Sequence, residues 1–413
     1  MEQKTFITEL DILKVRHLQK ISIPLASDVR KHLILTGKNG SGKTSVLKSL
    51  CNHLEYLVSS KFESQQELEK KITTFENQLN KLEKTENEFA KQEKYQTALF
   101  NTLRLFEIWV EGAVAKYTSI ADLRDKYKNG EFILAYYGDN RNMNAKVPKN
   151  IEKIQLQSVY SIGSHPGQDF IKYLVNLKTK LAFAQTDDNS VLVNSIKDWF
   201  ERFQKILCNL YDDKDLALEF NTDTFEFFIC MNDREPFGFN SMSMGYSAVF
   251  DIICDLIMRM EPKQNYNLEG IVLIDEIETH LHIELQRKIM PILIDLFPNI
   301  QFILTTHSPF ILNSMNNAVV YDLETQTLIE EGLSNYTYSG IVEGFFDVDA
   351  LSAELRQKFD RYKELITKVS ISDIDFAEIA EIQIYLDEVP DRLALEFMPE
   401  YKRLKLEFKN RTR

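Results

Sequence analysis

An eight-residue run near the start of the chain constrains its fold more than any other feature. Residues 37–44 read Gly-Lys-Asn-Gly-Ser-Gly-Lys-Thr and match the phosphate-binding loop pattern G-x-x-x-x-G-K-[ST] at every fixed position. The apolar residues 33–35 before it predict a short buried strand, and residues 46–50 after it predict a helix. A strand, a glycine-rich loop and a helix in this order form the arrangement that wraps the phosphates of a nucleoside triphosphate.

The loop predicts how a nucleotide and its metal ion would be held. Glycines let backbone N–H groups approach phosphate oxygens closely, and the helix N-terminus adds a positive dipole end. The ammonium of Lys43 would reach the β- and γ-phosphates, and the hydroxyl of Thr44 would ligate Mg²⁺. The predicted ATP-binding residues of the loop are Gly37, Asn39, Gly40, Ser41, Gly42, Lys43, Thr44 and Ser45.

A second cluster, far downstream, predicts the hydrolytic part of the site. Residues 271–274 are Ile-Val-Leu-Ile, which is typical of a strand buried on both faces of a parallel sheet, and Asp275 and Glu276 follow directly. Asp275 is the predicted second protein ligand of Mg²⁺, and Glu276 is the predicted general base that polarises the attacking water. An ordinary strand that runs into an acidic turn has the same pattern, and the phosphate-binding loop favours the catalytic interpretation.

Two further segments indicate a known family. Residues 276–282 read Glu-Ile-Glu-Thr-His-Leu-His, and residues 301–310 form an apolar strand pattern that ends in Thr-Thr-His-Ser-Pro-Phe. With the two earlier motifs, this order resembles the ATP-binding cassette (ABC) ATPases, specifically the branch that contains the SMC, double-strand-break repair and OLD-family ATPases. The resemblance implies that the segment after Glu276 is the dimer-contacting D-loop. It also implies that His307 is the switch histidine that senses the γ-phosphate.

The signature motif of that family has its weakest match here. Residues 240–247 read Asn-Ser-Met-Ser-Met-Gly-Tyr-Ser and lead into an apolar helical run, which is where the motif belongs. Members of this branch typically read L-S-S-G-E-Q, so Ser243 and Gly245 are retained. The resemblance implies that both bind the γ-phosphate of the nucleotide held by the opposite subunit. A helix N-cap serine followed by a glycine turn is the structural alternative.

A polar segment rich in Lys and Glu, at about residues 59–128, interrupts the ATPase pattern. Its apolar residues recur in two stripes at coiled-coil spacing, which predicts an antiparallel helical hairpin that serves for docking or dimer contact. A helical subdomain packed on the core is the alternative. The first stripe is Leu68, Ile72, Phe75, Leu79 and Leu82, and the second is Tyr95, Leu99, Leu103, Phe106 and Val110.

The core strand predicted at residues 131–138 precedes the position of the family's Q-loop. In related ATPases the glutamine of that loop contacts Mg²⁺ or the lytic water, and here Asp139, Asn140 and Arg141 are its nearest substitutes. A polar turn after a strand is the alternative. Residues 7–23 predict two more strands.

The predicted fold class is α/β: an ABC-type P-loop NTPase core, with a mostly parallel sheet and an antiparallel β-layer, a helical coiled-coil hairpin insertion and a helical C-terminal appendage. Residues 216–229 add a predicted β-hairpin. The predicted domain ranges are 1–58 for the lobe with the phosphate-binding loop, 59–128 for the insertion, 129–338 for the rest of the core and 339–413 for the appendage. The appendage carries Leu351, Leu355, Phe359, Tyr362 and Leu365 at helical spacing.

Composition and charge narrow the class of protein. Hydrophobic residues make up 44% of the 413, which is ample for a core, and no apolar stretch is long enough to cross a bilayer. The 4 cysteines lack C-x-x-C spacing and indicate neither zinc nor disulfides, so a cytoplasmic location is expected. The formal net charge of -13 gives no global attraction for nucleic acid, and residues 401–413 are one local basic patch.

An ATPase with a short coiled-coil arm and no recognisable nuclease motif resembles the ATPase subunits of bacterial anti-phage systems, including Septu, the retrons linked to it and PARIS. The resemblance implies an ATP- and Mg²⁺-dependent sensor or assembly subunit, which forms a homodimer or a higher oligomer through ATP-sandwiched heads. It would control a separately encoded toxin or effector nuclease of HNH or TOPRIM type. DNA or a phage protein would be the trigger, and no membrane partner is expected.

Three alternative functions are open at this point. An SMC- or RecF-like repair ATPase would act directly on DNA, and the acidic balance of the chain argues against it. The motor subunit of a membrane transporter would carry an intact L-S-G-G-Q. It would have no coiled-coil insertion between the phosphate-binding loop and the strand that ends in Asp275 and Glu276. A nucleotide-bound scaffold with negligible turnover would agree with the altered signature motif but not with Glu276.

Overall fold

The computed structural model describes residues 4–81, 89–232, 234–344, 353–368, 370–389 and 398–411. The chain divides into two compact units, residues 1–335 and residues 336–413. The first unit holds every motif of the predicted site. Within the described ranges, no helix combines the length and the apolar character that crossing a bilayer requires.

A six-stranded sheet forms the centre of the first unit. In spatial order its strands are β12 (Thr327–Ile329), β11 (Ala318–Asp322), β3 (His32–Thr36), β10 (Ile300–Thr305), β9 (Glu269–Ile274) and β5 (Phe132–Tyr137). All neighbours pair in parallel except β12, which pairs antiparallel with β11. Strands β3 and β10 are buried along their whole length, which explains the apolar runs at residues 33–35 and 302–304. The residues that follow β3, β9 and β10 therefore meet at one edge of the sheet.

A three-stranded antiparallel sheet packs with this core. Its spatial order is β2 (Leu18–Pro24), β1 (Ile7–Val15) and β4 (Ala113–Tyr117), and helix α4 (Ile120–Lys128) follows β4. The side chain of Gln301 ties the two sheets together, because its amide exchanges hydrogen bonds of 2.7 and 2.9 Å with the backbone of Ile7. These two sheets confirm the predicted α/β fold class with an antiparallel layer.

The helical insertion is shorter than the predicted range 59–128. Helix α1 (Lys43–Val58) is followed by the hairpin of α2 (Gln65–Lys81) and α3 (Phe89–Val110). The hairpin helices pack together, with Leu68 buried and the rings of Phe75 and Tyr95 6.4 Å apart. Leu82 of the first predicted stripe lies outside the described residues. Because β4 pairs with β1, residues 113–128 belong to the core rather than to the insertion.

The segment between β5 and β9 is mainly helical. It contains α5 (Phe170–Thr186), α6 (Ser190–Tyr211), a three-stranded antiparallel sheet and α7 (Met244–Met260). The strands of this sheet are β6 (Ala217–Phe220), β7 (Phe227–Met231) and β8 (Arg234–Gly238), and the pairing of β6 with β7 confirms the predicted hairpin. Helices α8 (Ile283–Leu296) and α9 (Pro309–Leu312) flank β10 in the sequence.

The second unit contains four helices among its described residues. They are α10 (Tyr338–Gly344), α11 (Ala353–Thr367), α12 (Asp373–Asp387) and α13 (Met398–Arg411). Phe359, Tyr362 and Leu365 of the predicted stripe are buried, and Leu351 lies outside the described residues. The helices α11, α12 and α13 share one apolar core, whose buried members are Phe359, Tyr362, Leu365, Ile366, Ile379, Ile382, Leu386, Met398 and Tyr401.

Candidate functional site

The loop between β3 and α1 is built on three glycines with left-handed backbone. Gly37, Gly40 and Gly42 have φ values of 131°, 85° and 101°, which other residue types adopt only with strain. At Gly37, a Cβ atom would lie only 2.9 Å from Ser41 Oγ. Gly42 caps α1 without a side-chain hydrogen bond, so the first backbone N–H groups of α1 are not occupied by a capping side chain. This geometry suits an anion.

Two backbone carbonyls of the loop bind the buried ammonium group of Lys43. Lys43 is 5% exposed, and its Nζ donates to the carbonyls of Gly37 at 2.9 Å and Lys38 at 3.1 Å. Burial lowers the pKa of Lys43, and nearby carboxylates, first that of Glu276, oppose this shift. The Ser41 hydroxyl is buried and has no hydrogen-bond partner in the described part of the chain. Asn39 and Gly40 are exposed at the tip of the loop, and Ser45 is half-buried in the first turn of α1.

Three side-chain oxygens meet where β9 ends. Thr44 Oγ1 donates to Asp275 Oδ1 at 3.1 Å, and Thr305 Oγ1 donates to the same oxygen at 2.7 Å. Asp275 is 1% exposed, so its carboxylate is enclosed by these hydroxyls. Mg²⁺ in nucleotide sites takes one or two such protein oxygens and completes its octahedron with phosphate and water oxygens. The donor set of Thr44 and Asp275 fits this ion.

Glu276 adopts a strained backbone conformation, with φ of 44°. Its N–H donates to Thr305 Oγ1 at 2.7 Å, and its carboxylate accepts a hydrogen bond of 3.4 Å from the Thr279 hydroxyl. Unlike the buried Asp275, Glu276 is partly exposed. The left-handed turn therefore gives two consecutive carboxylates different surroundings, as an assignment of one to metal binding and the other to water activation requires.

The imidazole of His307 lies near these carboxylates and Lys43. Its backbone N–H donates to Glu278 Oε1 at 2.5 Å, while its ring atom Nε2 is buried without a partner in the described residues. Burial and the neighbouring Lys43 lower the pKa of His307, so the ring is neutral at pH 7. A neutral ring with an unsatisfied Nε2 can form one further hydrogen bond, to a phosphate oxygen or a water.

Of the three residues predicted at the Q-loop position, only Arg141 reaches the site. Its guanidinium donates to the carbonyls of Gly138 at 2.6 Å, Asp275 at 2.5 Å and Glu276 at 2.8 Å. Asp139 and Asn140 are exposed, whereas Arg141 is 3% exposed. Arg141 therefore fixes the backbone on which both carboxylates stand.

The two residues after Arg141, which are Asn142 and Met143, contact helix α7. Ser247 of α7 donates to Asn142 Oδ1 at 2.6 Å and accepts a hydrogen bond of 2.9 Å from the Met143 N–H. One short segment thus contacts both the end of β9 and the helix that follows the signature region. This connection could not be read from the sequence.

Ser243 and Gly245 lie at the start of α7. Ser243 occupies the N-cap position, yet its side chain forms no capping hydrogen bond and the residue is exposed. A Cβ atom at Gly245 would lie 2.9 Å from the His280 carbonyl oxygen, so glycine is required for α7 to pack against the turn after Glu276. Among the hydrogen bonds of the described residues, none joins Ser243 to the phosphate-binding loop of its own chain.

Two candidate functional residues could not be identified from the sequence. Thr305 links Asp275 with Glu276, and Glu278 binds the backbone of His307. The signals were present, since Thr305 begins the Thr-Thr-His run and Glu278 follows Glu276 by two residues. Neither position predicts such contacts until β9 and β10 are known to be neighbours.

One protein-family model matches the middle of the chain. The family is described as “AAA domain, putative AbiEii toxin, Type IV TA system”, and the match covers residues 120–313. This range includes Arg141, the signature region, the two carboxylates at the end of β9 and His307, and it begins after the phosphate-binding loop.

Curated relatives match over a similar length. The chain is 33% identical over 151 residues to “Septu protein PtuA” of Bacillus mycoides (strain KBAB4), covering 34% of this chain and 21% of the relative. It is 33% identical over 132 residues to “Retron Ec83 probable ATPase” of Escherichia coli, covering 30% of this chain and 23% of the relative. The matches thus span about a fifth of the length of these relatives.

Among solved structures, an SMC head bound to the C-winged helix domain of ScpA aligns with a TM-score of 0.37 and 11% identity, over 80% of this chain and 97% of that chain. The fold assignment itself is based on the strand order and the loop geometry given above. The motif order and the family and relative matches agree with it. The chain therefore has the fold of an ABC-type P-loop NTPase, and over part of its length it is similar to this AAA domain family and to the Septu PtuA and retron ATPases.

Proposed function

We propose that this protein binds ATP with Mg²⁺, hydrolyses it, and thereby controls a separately encoded nuclease or toxin in bacterial defence against phage. The observation that carries the proposal is the contact of 3.1 Å between Thr44 and Asp275, which lies beside Lys43 and Glu276 at one edge of the sheet. The names of the Septu and retron relatives support the defence context.

In this proposal the loop residues bind the triphosphate. The backbone N–H groups at the start of α1 and the ammonium of Lys43 contact phosphate oxygens, and Thr44 and Asp275 hold Mg²⁺. When bound, Mg²⁺ supplies positive charge to the β- and γ-phosphates. The nucleotide-binding set is Gly37, Asn39, Gly40, Ser41, Gly42, Lys43, Thr44 and Ser45.

Two residues carry the hydrolytic step. Glu276 accepts a proton from the attacking water, and its partial exposure leaves the carboxylate accessible to that water. The unsatisfied Nε2 of His307 binds the γ-phosphate or the water and so reports whether the γ-phosphate is present. Arg141 and Thr305 are positioning residues, because each contacts the backbone or the carboxylate of these groups rather than the substrate.

A second copy of the chain completes each site. The exposed Ser243 hydroxyl and the N-terminus of α7 at Gly245 bind the γ-phosphate of the nucleotide on the opposite head, which gives a homodimer or a higher oligomer. The uncapped state of Ser243 supports this role, because a serine that serves only as a cap would bond the backbone of its own helix.

The output of the ATPase passes through a partner. The hairpin of α2 and α3, or the second unit, is the proposed attachment site for the effector nuclease of HNH or TOPRIM type, since the ATPase core requires neither. DNA or a phage protein is the proposed trigger. Contact with DNA requires local basic surfaces, because the formal net charge of the chain is -13.

Co-expression tests the whole proposal. The chain is produced together with the nuclease or toxin encoded beside its gene, and phage plaques are counted. We expect protection with both proteins, none with either alone, and none with Lys43→Ala. Lys48→Ala is the matched control, because Lys48 is an exposed lysine on the same helix. Full protection by the Lys43→Ala pair, or DNA cleavage by this chain alone, would contradict the proposal.

A further inference from the structure

A cavity of about 290 Å³ lies between α6, α7 and the end of α8. Its volume is near the lower end of the range for small-molecule sites, so it has room for one or two fused rings rather than for a peptide segment. None of its lining residues belongs to the ATP site proposed above. Ile257 lines it from the last turns of α7, about 20 Å along the helix axis from Ser243.

The floor of the cavity is aromatic and apolar. It is formed by Trp199, Phe203, Ile257 and Phe297, each of which is at most 8% exposed. The rings of Trp199 and Phe203 stack on each other, with centroids 5.5 Å apart and an angle of 22° between their planes. Tyr266, which is half-buried, also lines the cavity. Such a lining favours a flat ring system over a polar ligand.

A buried carboxylate fixes two of these aromatic side chains. Glu261, which is 4% exposed, accepts hydrogen bonds from Trp199 Nε1 at 2.6 Å and from the Tyr266 hydroxyl. Its other oxygen accepts a hydrogen bond of 2.5 Å from the Tyr173 hydroxyl. Trp199 Nε1 also donates to the Tyr266 oxygen at 2.7 Å. Because these bonds already hold the indole and the phenol in place, a ligand would bind with little further ordering of side chains.

The rim of the cavity carries two cations without an acidic partner among the described residues. Arg202 and Lys205 are exposed there, and neither forms a hydrogen bond or an ion pair with another described residue. The guanidinium of Arg202 lies 5.4 Å from the centre of the Tyr266 ring, and this contact leaves its N–H groups available. Asp295 also lies at the rim, so two positive charges and one negative charge line the opening.

We infer that the cavity binds a small planar aromatic anion, with its rings on the aromatic floor and its acidic group at Arg202 and Lys205. Charge-assisted hydrogen bonds from these two residues would orient such a ligand. A neutral ring would gain only from the floor. An anion without a ring would gain only from exposed cations, which contribute little in water. The floor and the rim together therefore define the ligand class, independently of the function proposed for the ATP site.

Binding of three probes to the full chain tests the inference. Naphthalene-2-sulfonate has both the rings and the charge, naphthalene-2-sulfonamide has the same shape without the charge, and methanesulfonate has the charge without the rings. Affinity is measured by isothermal titration calorimetry. We expect the sulfonate to bind about fivefold or more tightly than the sulfonamide, and methanesulfonate not to bind at millimolar concentration.

Variants of the rim show whether the probe lies in the cavity. Arg202→Gln together with Lys205→Gln should weaken binding of the naphthalene sulfonate by about fivefold or more and leave binding of the sulfonamide unchanged. Lys197→Gln is the matched control, because Lys197 is an exposed lysine of α6 that does not line the cavity. Asp295→Asn should act in the opposite direction and tighten sulfonate binding by about twofold, because it removes the negative charge of the rim.

A variant that fills the cavity is a further arm. Ile206 is half-buried and lines the cavity, so Ile206→Trp should abolish binding of both naphthalene probes. Unchanged thermal unfolding of each variant confirms its fold.

Three results would overturn the inference. They are a sulfonate that does not bind at millimolar concentration, equal affinities for the sulfonate and the sulfonamide, and sulfonate binding that is unchanged when Arg202 and Lys205 are both replaced by glutamine. The last result would show that the probe occupies another site, such as the ATP site.

Discussion

The hydroxyl of Thr305 donates to Asp275 Oδ1 at 2.7 Å and also accepts a hydrogen bond of 2.7 Å from the Glu276 N–H. One side chain thus fixes the carboxylate proposed for Mg²⁺ and the backbone of the proposed general base. Thr305 ends β10, which lies between β3 and β9. The strand that leads to His307, the proposed switch histidine, is thereby connected to the acidic end of β9.

Replacement of this hydroxyl should slow hydrolysis more than it weakens binding. A hydrogen bond to a charged group contributes about 1.5–3 kcal/mol, so Thr305→Val should lower kcat by about tenfold or more. Thr305→Ser keeps the hydroxyl and should keep most of the activity. Steady-state ATPase rates and ATP affinity are measured for both. Equal kcat values for Val and Ser would show that this contact does not position the site.

Arg141 should matter for both stability and catalysis. It is buried and donates to the carbonyls of Asp275 and Glu276, and the Glu276 carbonyl also accepts from the Thr279 N–H. Arg141→Met should therefore lower the free energy of unfolding by about 1–3 kcal/mol, because it leaves the buried Asp275 carbonyl without its donor. Activity should fall with it. Asn140→Ala is the control, because Asn140 is exposed. Urea unfolding and ATPase rates are compared, and an Arg141→Met protein as stable and active as the control would contradict the assignment.

The stability of the first unit should fall in acid because of buried histidines. Burial lowers the pKa of His53 to about 4. The unfolded chain therefore takes up the proton first as the pH falls, so the stability is complete above about pH 6.5 and decreases by about 1.4 kcal/mol per pH unit down to about pH 4. His53 has no hydrogen-bond partner for either ring nitrogen in the described residues.

The variant His53→Phe should remove this loss. Phe can occupy the position beside Trp109, whose ring is 5.2 Å away, without a titrating group. Urea unfolding of both proteins is measured at about pH 7.5 and about pH 5. The advantage of the variant should be larger by about 2 kcal/mol at the lower pH. His32, with a pKa of about 3, titrates in both proteins and cancels in the comparison. A difference that does not depend on pH would contradict the assignment.

The head contact should depend on ATP and on Ser243. In Glu276→Gln protein, saturating ATP with Mg²⁺ should double the mass that is observed without nucleotide. Adding Ser243→Arg should prevent this, because an exposed serine at the start of α7 becomes a bulky cation. Sedimentation velocity distinguishes the outcomes. A protein that remains monomeric at saturating ATP would remove the composite-site proposal.

The central strands and the helical hairpin could be predicted because their signals are local. Strands buried on both faces contain apolar runs, as in residues 33–35 of β3 and 302–304 of β10, and the hairpin helices repeat apolar residues at helical spacing. The place of β4 could not be predicted, since its partner β1 is about a hundred residues earlier in the chain. The role of Arg141 was hidden for the same reason. An arginine in a polar turn shows its contacts only when β5 and β9 are known to be neighbours.

We propose above all that Glu276 activates water at a site formed by Lys43, Thr44 and Asp275. Single-turnover ATP hydrolysis by the Glu276→Gln variant tests this claim most directly. The amide of glutamine keeps the size and shape of the glutamate side chain but cannot accept the proton from water. We predict that the variant binds ATP with Mg²⁺ as tightly as the parent, and that its single-turnover rate of ATP hydrolysis is lower by about a hundredfold or more. Hydrolysis by Glu276→Gln at the parent rate would contradict it.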